Sequence, residues 1–168
     1  IFPDAAQRDW FLAEVCSPAW NLEQDRGRSF AEGVADCIAR HPDWADEIRA
    51  WDERWHEMVP GAVEGTVVLL ERLRAAGVPT WAITNFSREK FVETRRRFPF
   101  IDGFRDVVVS AHEKLVKPDP AIYRVLLDRN GLDPATCLFV DDLPENVLGA
   151  RAVGMKAAAF TSPARLAA

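Results

Sequence analysis

Two adjacent carboxylates, Asp141 and Asp142, come directly after an apolar run at residues 137–140. Pro144 then opens a segment with helical periodicity, so the two acids lie where a strand ends and a helix begins. Paired carboxylates at the C-terminal end of a strand are well suited to bind a hard cation. Either acid could instead cap the following helix, because a carboxylate is favourable at a helix N-terminus.

Polar residues also follow two other apolar runs. Thr84 and Asn85 come after the first, and Lys117 lies in the loop after the second. The C-terminal ends of parallel strands meet at one edge of a sheet, so a hydroxyl, an amide, an ammonium and the acid pair are expected together. Such a set suits an oxyanion such as phosphate, with the acids holding Mg²⁺. Each residue taken alone has a simpler interpretation, as a helix cap for Thr84-Asn85 and as a solvated side chain for Lys117.

The elements that must position these residues alternate between strand and helix from residue 61 onward. This alternation predicts an α/β fold with a parallel sheet covered by helices. The predicted strands are 78–85, 106–110, 136–140 and 156–160, and the predicted helices are 66–76, 88–97, 120–131 and 144–153.

The first sixty residues differ from the rest of the chain in their tryptophan content and in the spacing of their apolar residues. They hold five of the six tryptophans, and their apolar residues recur at helical spacing. We interpret these aromatic residues as the core of a small helical bundle. The sequence therefore predicts two domains, a helical one at residues 1–60 and the α/β core at residues 61–168.

Three segments together resemble motifs of a known family. Residues 81–85, 116–123 and 139–147 resemble the second, third and fourth motifs of the haloacid dehalogenase (HAD) superfamily, in the same order. The helical block is similar to the C1-type α-helical cap of that superfamily. The resemblance covers essentially the whole chain and implies a hydrolase with a HAD-type Rossmann-like core under an α-helical cap.

The resemblance also implies roles for individual residues. Lys117 would be catalytic, steadying the nucleophile and the phosphoryl charge, and Thr84 and Asn85 would be catalytic and substrate-binding. Asp142 would be the Mg²⁺ ligand, with Asp141 binding the metal through water or orienting that ligand. A further residue, Asn146, would hydrogen-bond within the site.

One family motif is missing from the sequence. The first HAD motif is a strand ending in Asp-x-Asp or Asp-x-Gly, whose first Asp is the nucleophile, and no Asp-x-Asp occurs in these residues. Asp4 follows Pro3 rather than a strand, and Asp102-Gly103 lies in a turn context mid-domain. We therefore expect an N-terminally incomplete enzyme that lacks its first strand and is inactive as written. The loss would leave unpaired backbone groups on the two neighbouring strands.

The acid pair favours one branch of the family. A phosphate ester carries negative charge that a metal must neutralise, whereas displacing halide from carbon needs no Mg²⁺. We therefore predict a Mg²⁺-dependent phosphatase of a small phosphate ester such as a sugar phosphate, acting through an aspartyl-phosphate. The alternatives are a 2-haloacid dehalogenase-type hydrolase and a non-catalytic HAD-like binding module.

The cap is expected to select the substrate. Arg26 and Arg28 lie in a segment that resembles the cap turn facing the active site, and either could bind a substrate anion. The alternative is an arginine that pairs with Glu23 or Asp25 at the surface.

Composition restricts the partners. The net charge of −5 comes with no basic block that would bind nucleic acid, and no apolar run is long enough to span a membrane. Three scattered cysteines indicate a reducing compartment, so we expect a cytoplasmic protein with a small anionic substrate. The tryptophan-rich cap offers a surface through which a homodimer could form.

Overall fold

A computed structural model describes residues 1–167, so the last residue of the predicted core, Ala168, lies outside the described part. The first domain is a bundle of four helices: α1 Ala5–Glu14, α2 Pro18–Asp25, α3 Phe30–Arg40 and α4 Ala45–Glu53. Short 3₁₀ turns follow α3 and α4, at Pro42–Trp44 and Trp55–Met58. Ser17 and Ser29 cap the N-termini of α2 and α3, because each hydroxyl accepts a hydrogen bond from a backbone N–H of the first turn.

Buried apolar residues form two separate clusters, one on each side of residue 60. The cap cluster contains Phe11, Val15, Cys16, Trp20, Phe30, Cys37 and Ile48. The core cluster contains Ile83, Val108, Ile122, Tyr123, Leu126, Leu127, Ala150 and Met155. Each cluster thus forms a separate hydrophobic core, and the predicted domain boundary at residue 60 stays a prediction.

The second domain alternates helices and strands as the sequence predicts. Its helices are α5 Glu64–Ala75, α6 Arg88–Arg97, α7 Ser110–Glu113, α8 Pro120–Asn130, α9 Pro144–Ala152 and α10 Pro163–Leu166. Its strands are β1 Ala82–Thr84, β2 Val107–Val109, β3 Leu138–Asp141 and β4 Lys156–Ala159. The strands are shorter than predicted, and the short helices α7 and α10 are additional.

The strands form two parallel pairs rather than one continuous sheet. β1 pairs with β2, with Thr84 opposite Val109, and β3 pairs with β4, with Asp141 opposite Ala159. Side chains of both pairs pack against α8, so the pairs share one helical layer. Among residues 1–167, β1 and β3 each have a single hydrogen-bonded neighbour, so each retains one free edge.

Apolar side chains are exposed in β3, α9 and α5. Leu138 of β3 is 63% exposed, Leu148 of α9 is 62% exposed, and α5 buries none of its described residues. Free strand edges and uncovered apolar side chains are what a parallel sheet shows when one strand is absent. That the first strand of the family core is absent stays a prediction.

No helix within residues 1–167 is both long and apolar enough to cross a membrane. The cysteines Cys16, Cys37 and Cys137 are free thiols.

Candidate active site

The C-terminal edge of the strands, called the rim below, carries a buried ion pair. The Lys117 Nζ lies 2.6 Å from Asp141 Oδ2, and the two side chains are only 10% and 8% exposed. Asp141 ends β3, while Lys117 lies in the loop between α7 and α8. The structure therefore brings together two predicted site residues that are 24 positions apart in the sequence.

Further hydrogen bonds keep Asp141 ionised. Its Oδ1 accepts from Asn146 Nδ2 at 2.9 Å and from the Leu143 backbone N–H at 3.0 Å. Burial favours the neutral acid, but these hydrogen bonds and that from Lys117 outweigh it and hold the pKa of Asp141 below its ordinary value. Both carboxylate oxygens are thus occupied by donors of the protein.

The helix that follows β3 supports this network. Asn146 is 3% exposed, and its backbone carbonyl accepts a hydrogen bond from the Tyr123 hydroxyl at 2.8 Å. Burial, followed by the nearby Asp141 charge, raises the pKa of Tyr123, so the phenol remains a donor at neutral pH. The structure thus shows Asn146 bonded to Asp141, whereas its predicted contact with substrate stays a prediction.

Gly149 is required where α9 meets the Lys117 loop. A Cβ at Gly149 would lie 2.6 Å from the Pro118 carbonyl oxygen and 2.9 Å from the Tyr123 hydroxyl. We expect Gly149→Ala to lower the free energy of unfolding by about 2 kcal/mol, because the added methyl overpacks a backbone contact. Urea unfolding measures the change, with Gly61→Ala as control because a Cβ there meets no atom within 4 Å. Equal unfolding midpoints for the two variants would contradict the prediction.

Asn85 fixes the backbone of the Lys117 loop. Its Nδ2 donates to the Lys117 carbonyl oxygen at 3.0 Å, and its Oδ1 accepts from the Lys117 N–H at 2.7 Å. This double hydrogen bond joins the loop after β1 to the loop that carries the ammonium. The structure thus shows Asn85 positioning Lys117, whereas its predicted contact with substrate stays a prediction.

Thr84 occupies a different environment from the other rim residues. It ends β1 and lines an apolar cavity of about 150 Å³ together with Phe86, Phe91 and Thr94. No hydrogen bond joins its hydroxyl to Lys117 or Asp141 in the described part of the chain. The structure places Thr84 at a strand end, as predicted, without bringing its side chain into the Lys117 network.

Asp142 is the acid of the pair that remains available to a ligand. Its side chain is exposed, and within residues 1–167 it forms no ion pair or hydrogen bond. Mg²⁺ is bound by one or two protein carboxylates and otherwise by water and substrate oxygens, so the exposed Asp142 beside Asp141 fits such an ion. No group of three or more acidic, His or Cys side chains among the described residues could hold a metal. The pair can therefore supply only part of a coordination shell.

The two predicted cap arginines make their contacts inside the cap. Arg26 pairs with Glu23 at 3.0 Å on the surface. Arg28 donates to Gln24 Oε1 at 2.6 Å and lies 3.4 Å from Asp36. These contacts favour the alternative in which the arginines stabilise the cap, because no described contact joins either guanidinium to the rim.

The turn between the two arginines nevertheless faces the core. Gly27 has a φ of +107°, and a Cβ there would lie 2.9 Å from the Ala111 carbonyl oxygen of α7. Glycine is the residue that adopts this backbone conformation without strain and allows so close an approach. The cap turn therefore packs directly against the segment that follows β2.

Sequence reasoning missed two polar residues near the rim. Ser110, fully buried at the end of β2, accepts a hydrogen bond from the Phe86 N–H at 2.8 Å and so fixes the loop after β1. Asp25, at the end of α2, faces the backbone N–H of Ser87. Ser110 is the last residue of the predicted strand 106–110, which was a usable signal. Asp25 carried none, because its burial depends on how the cap meets the core.

Burial raises the pKa of Asp25 from 3.8 to about 6, although the Ser87 N–H partly opposes this shift. The folded protein thus holds this proton more tightly than the unfolded chain does. Its contribution to stability is complete below pH 3.8 and is lost as the pH rises through about 6.

Asp25→Asn is therefore expected to be more stable than the parent at pH 7, by on the order of 1 kcal/mol, and to lose this advantage near pH 4. Urea unfolding across that pH range measures the difference. Asp43→Asn, at an exposed position of the same domain, serves as control and should follow the pH dependence of the parent. Parallel stability curves for Asp25→Asn and the parent would contradict the prediction.

Comparison with known sequences identifies relatives of this chain. The sequence model of the haloacid dehalogenase-like hydrolases matches residues 23–160. The sesquiterpene phosphatase astK of Aspergillus oryzae is 37% identical over 87 residues, which are 52% of this chain and 44% of that protein. Hexitol phosphatase A of Escherichia coli is 31% identical over 103 residues, which are 61% of this chain and 47% of that protein. The matched segments thus span less than half the length of either relative.

A solved structure shares the fold. A mutant of a HAD family enzyme from Bacteroides thetaiotaomicron, in complex with magnesium and inorganic phosphate, matches with a TM-score of 0.76. The match covers 93% of this chain and 83% of that chain at 20% sequence identity. The likeness therefore establishes an α/β, Rossmann-like core of the HAD type.

Proposed function

Because the chain belongs to the haloacid dehalogenase-like hydrolases, we propose that its protein is a Mg²⁺-dependent phosphatase of a small phosphate ester, such as a sugar phosphate. The observation that carries the proposal is the buried Lys117–Asp141 pair directly beside the exposed Asp142. A fixed positive charge and an available carboxylate at one sheet edge suit a doubly charged phosphoryl group. Two relatives whose names describe phosphatases support the same branch.

Each of the described residues at the rim would have a separate role in the reaction. Lys117 would neutralise negative charge that develops on the phosphoryl oxygens, and Asp141 would hold the ammonium in place. Asn85 would keep the loop of Lys117 in register with β1. Asp142 would hold Mg²⁺, which supplies a second positive charge against the phosphoryl oxygens when bound. The Thr84 hydroxyl would donate to one of those oxygens from the adjacent strand end.

The proposal requires a carboxylate nucleophile, which we infer is supplied from outside residues 1–168. Attack of this carboxylate on phosphorus would form an oxygen–phosphorus bond as the ester bond breaks. The leaving alkoxide would take a proton from the acid/base residue expected at the third position of the first HAD motif. Water would then attack the aspartyl-phosphate, releasing inorganic phosphate and restoring the carboxylate. We infer that residues 1–168 alone carry out neither step, since no strand within residues 1–167 ends in Asp-x-Asp or Asp-x-Gly.

Hydrolysis assays on the full-length protein test the proposal. We expect para-nitrophenyl phosphate and sugar phosphates to be hydrolysed with Mg²⁺ and not with EDTA. Chloride release from 2-chloro acids is the parallel assay for a dehalogenase. Chloride release without phosphatase activity would replace our assignment by the dehalogenase, and inactivity in both assays would favour a binding module.

A further inference from the structure

Lys90, in the first turn of α6, is a core residue whose polar contacts lie in the cap. Its Nζ lies 2.6 Å from Asp52 Oδ1 and 2.7 Å from the Asp52 carbonyl oxygen, at the end of α4. The ammonium also lies 5.0 Å from the ring centre of Phe30, at the start of α3. The Lys90 side chain is only 11% exposed.

The residues next to Lys90 contact two more helix ends of the cap. The Glu89 Oε1 accepts a hydrogen bond from the Phe30 backbone N–H at 3.1 Å, across a sequence separation of 59 residues. Two residues before Glu89, the Ser87 N–H faces Asp25 at the end of α2. Residues 87–90, called the docking turn below, therefore contact the ends of α2, α3 and α4.

The docking turn is continuous with the rim. It begins two residues after Asn85, which holds the Lys117 loop, and the intervening Phe86 packs edge-on against Trp55 of the cap at 5.6 Å. One short segment therefore carries both a rim contact and the contacts to the cap. A movement of the cap away from the core would break these contacts together.

The docked cap both buries the Lys90 ammonium and supplies the partner that compensates its burial. A buried ammonium needs hydrogen-bonding partners, and within residues 1–167 the polar partners of the Lys90 Nζ both belong to Asp52. When the cap separates, water replaces these partners and the ion pair contributes nothing. The pair therefore stabilises specifically the arrangement in which the cap covers the rim.

We propose that the docking turn is a latch that holds the cap over the rim, and that Lys90 is its positioning residue. The catalytic consequence rests on the proposed function, because a loosened cap admits water and no longer confines the substrate. The latch itself is a property of the folded chain and can be measured without substrate.

Amide hydrogen exchange of the chain tests the latch. We expect Lys90→Met to speed exchange of the Phe30 amide about tenfold or more, because the hydrogen bond of that amide to Glu89 is lost when the cap separates. Amides inside the cap, such as that of Ile48, should keep the exchange rates of the parent. Asp52→Asn should reproduce the effect, and Lys90→Arg should restore much of the protection.

The control removes an ion pair that does not cross to the core. Arg54 pairs with Glu57 at the end of the same cap segment, and Arg54→Met should leave the Phe30 amide unchanged. Unchanged exchange at Phe30 in Lys90→Met would overturn the latch. Equally faster exchange at Phe30 and Ile48 would also overturn it, because the lysine would then merely stabilise the folded cap.

Turnover of para-nitrophenyl phosphate by the full-length protein separates the two proposals. We expect Lys90→Met to raise KM several-fold more than it lowers kcat, since the chemical groups at the rim are untouched. If Lys90→Met speeds exchange at Phe30 but lowers kcat while KM stays unchanged, the positioning role is overturned. If the parent hydrolyses no phosphate ester, the proposed function fails while the exchange result for the latch still stands.

Discussion

Replacing Lys117 by methionine is expected to lower the free energy of unfolding by about 3 kcal/mol, because it leaves the Asp141 charge buried without its cation. The pair is 2.6 Å apart and almost wholly buried, so solvent screens the interaction little. Urea unfolding at neutral pH measures the loss. Arg95→Met provides the control, since the Arg95–Asp102 pair is largely exposed and its loss should change stability by less than about 1 kcal/mol.

The loss of folding stability at low pH gives a second test of the role of Lys117. The pKa of Asp141 lies below its ordinary 3.8, so the stability that this carboxylate contributes is present above that pH and is lost as the pH falls through the lowered value. In Lys117→Met the largest single hydrogen bond that lowers this pKa is gone, so the loss should begin at a higher pH. Acid unfolding curves that coincide for variant and parent would contradict this assignment.

The same substitution should reduce phosphatase turnover of the full-length protein by roughly 10²- to 10³-fold, as loss of one preorganised hydrogen-bond donor to a developing negative charge does in other enzymes. Conservation of turnover would mean that Lys117 is structural and that the charge at the rim comes from elsewhere.

Asp142→Asn is expected to abolish Mg²⁺-dependent turnover of the full-length protein while leaving its fold intact. The exposed Asp142 side chain makes no described contact, so its replacement should change the free energy of unfolding by no more than about 0.5 kcal/mol. An amide is neutral and a far weaker ligand for Mg²⁺ than a carboxylate, so the affinity for the ion should fall sharply. Isothermal titration with MgCl₂ and the para-nitrophenyl phosphate assay measure the two effects.

Glu145→Gln is the matched control for Asp142→Asn. Glu145 is also an exposed acid, three residues further along in the first turn of α9. A general loss of negative charge near the rim would affect both variants, whereas a ligand role affects only Asp142. Near-normal Mg²⁺-dependent activity of Asp142→Asn would refute the assignment of the metal ligand.

Helix boundaries were accessible from the sequence where local chemistry defines them. α6 spans Arg88–Arg97 as predicted, because the Ser87 hydroxyl accepts a hydrogen bond from its first turn. α8 begins at Pro120 after the Asp119 cap and ends at Asn130, where Gly131 caps it with a φ of +60°. Such signals act over three or four residues and need no tertiary partner.

Contacts between cap and core were not accessible in this way. A lysine in an amphipathic helix usually lies in solvent, and nothing near Lys90 in the sequence indicates that Asp52 covers it. The partners of Arg26 and Arg28 could not be chosen from the sequence either. Glu23 and Gln24 lie within one helical turn of these arginines, and a substrate anion would compete with them for the same guanidinium groups. Which partner an arginine takes depends on distances that only the folded chain defines.

The sequence by itself determined the alternation of strands and helices, the position of each polar residue at a strand end, and the kinship carried by three motifs. Strand ends are set by local apolar runs and caps, so their polar residues can be located before the fold is known. Only the tertiary structure decided that Lys117 pairs with Asp141, that Asp142 remains open to a ligand, and that Lys90 joins the core to the cap. These outcomes depend on contacts between segments far apart in the chain, and burial then gives each charge its partner and its pKa.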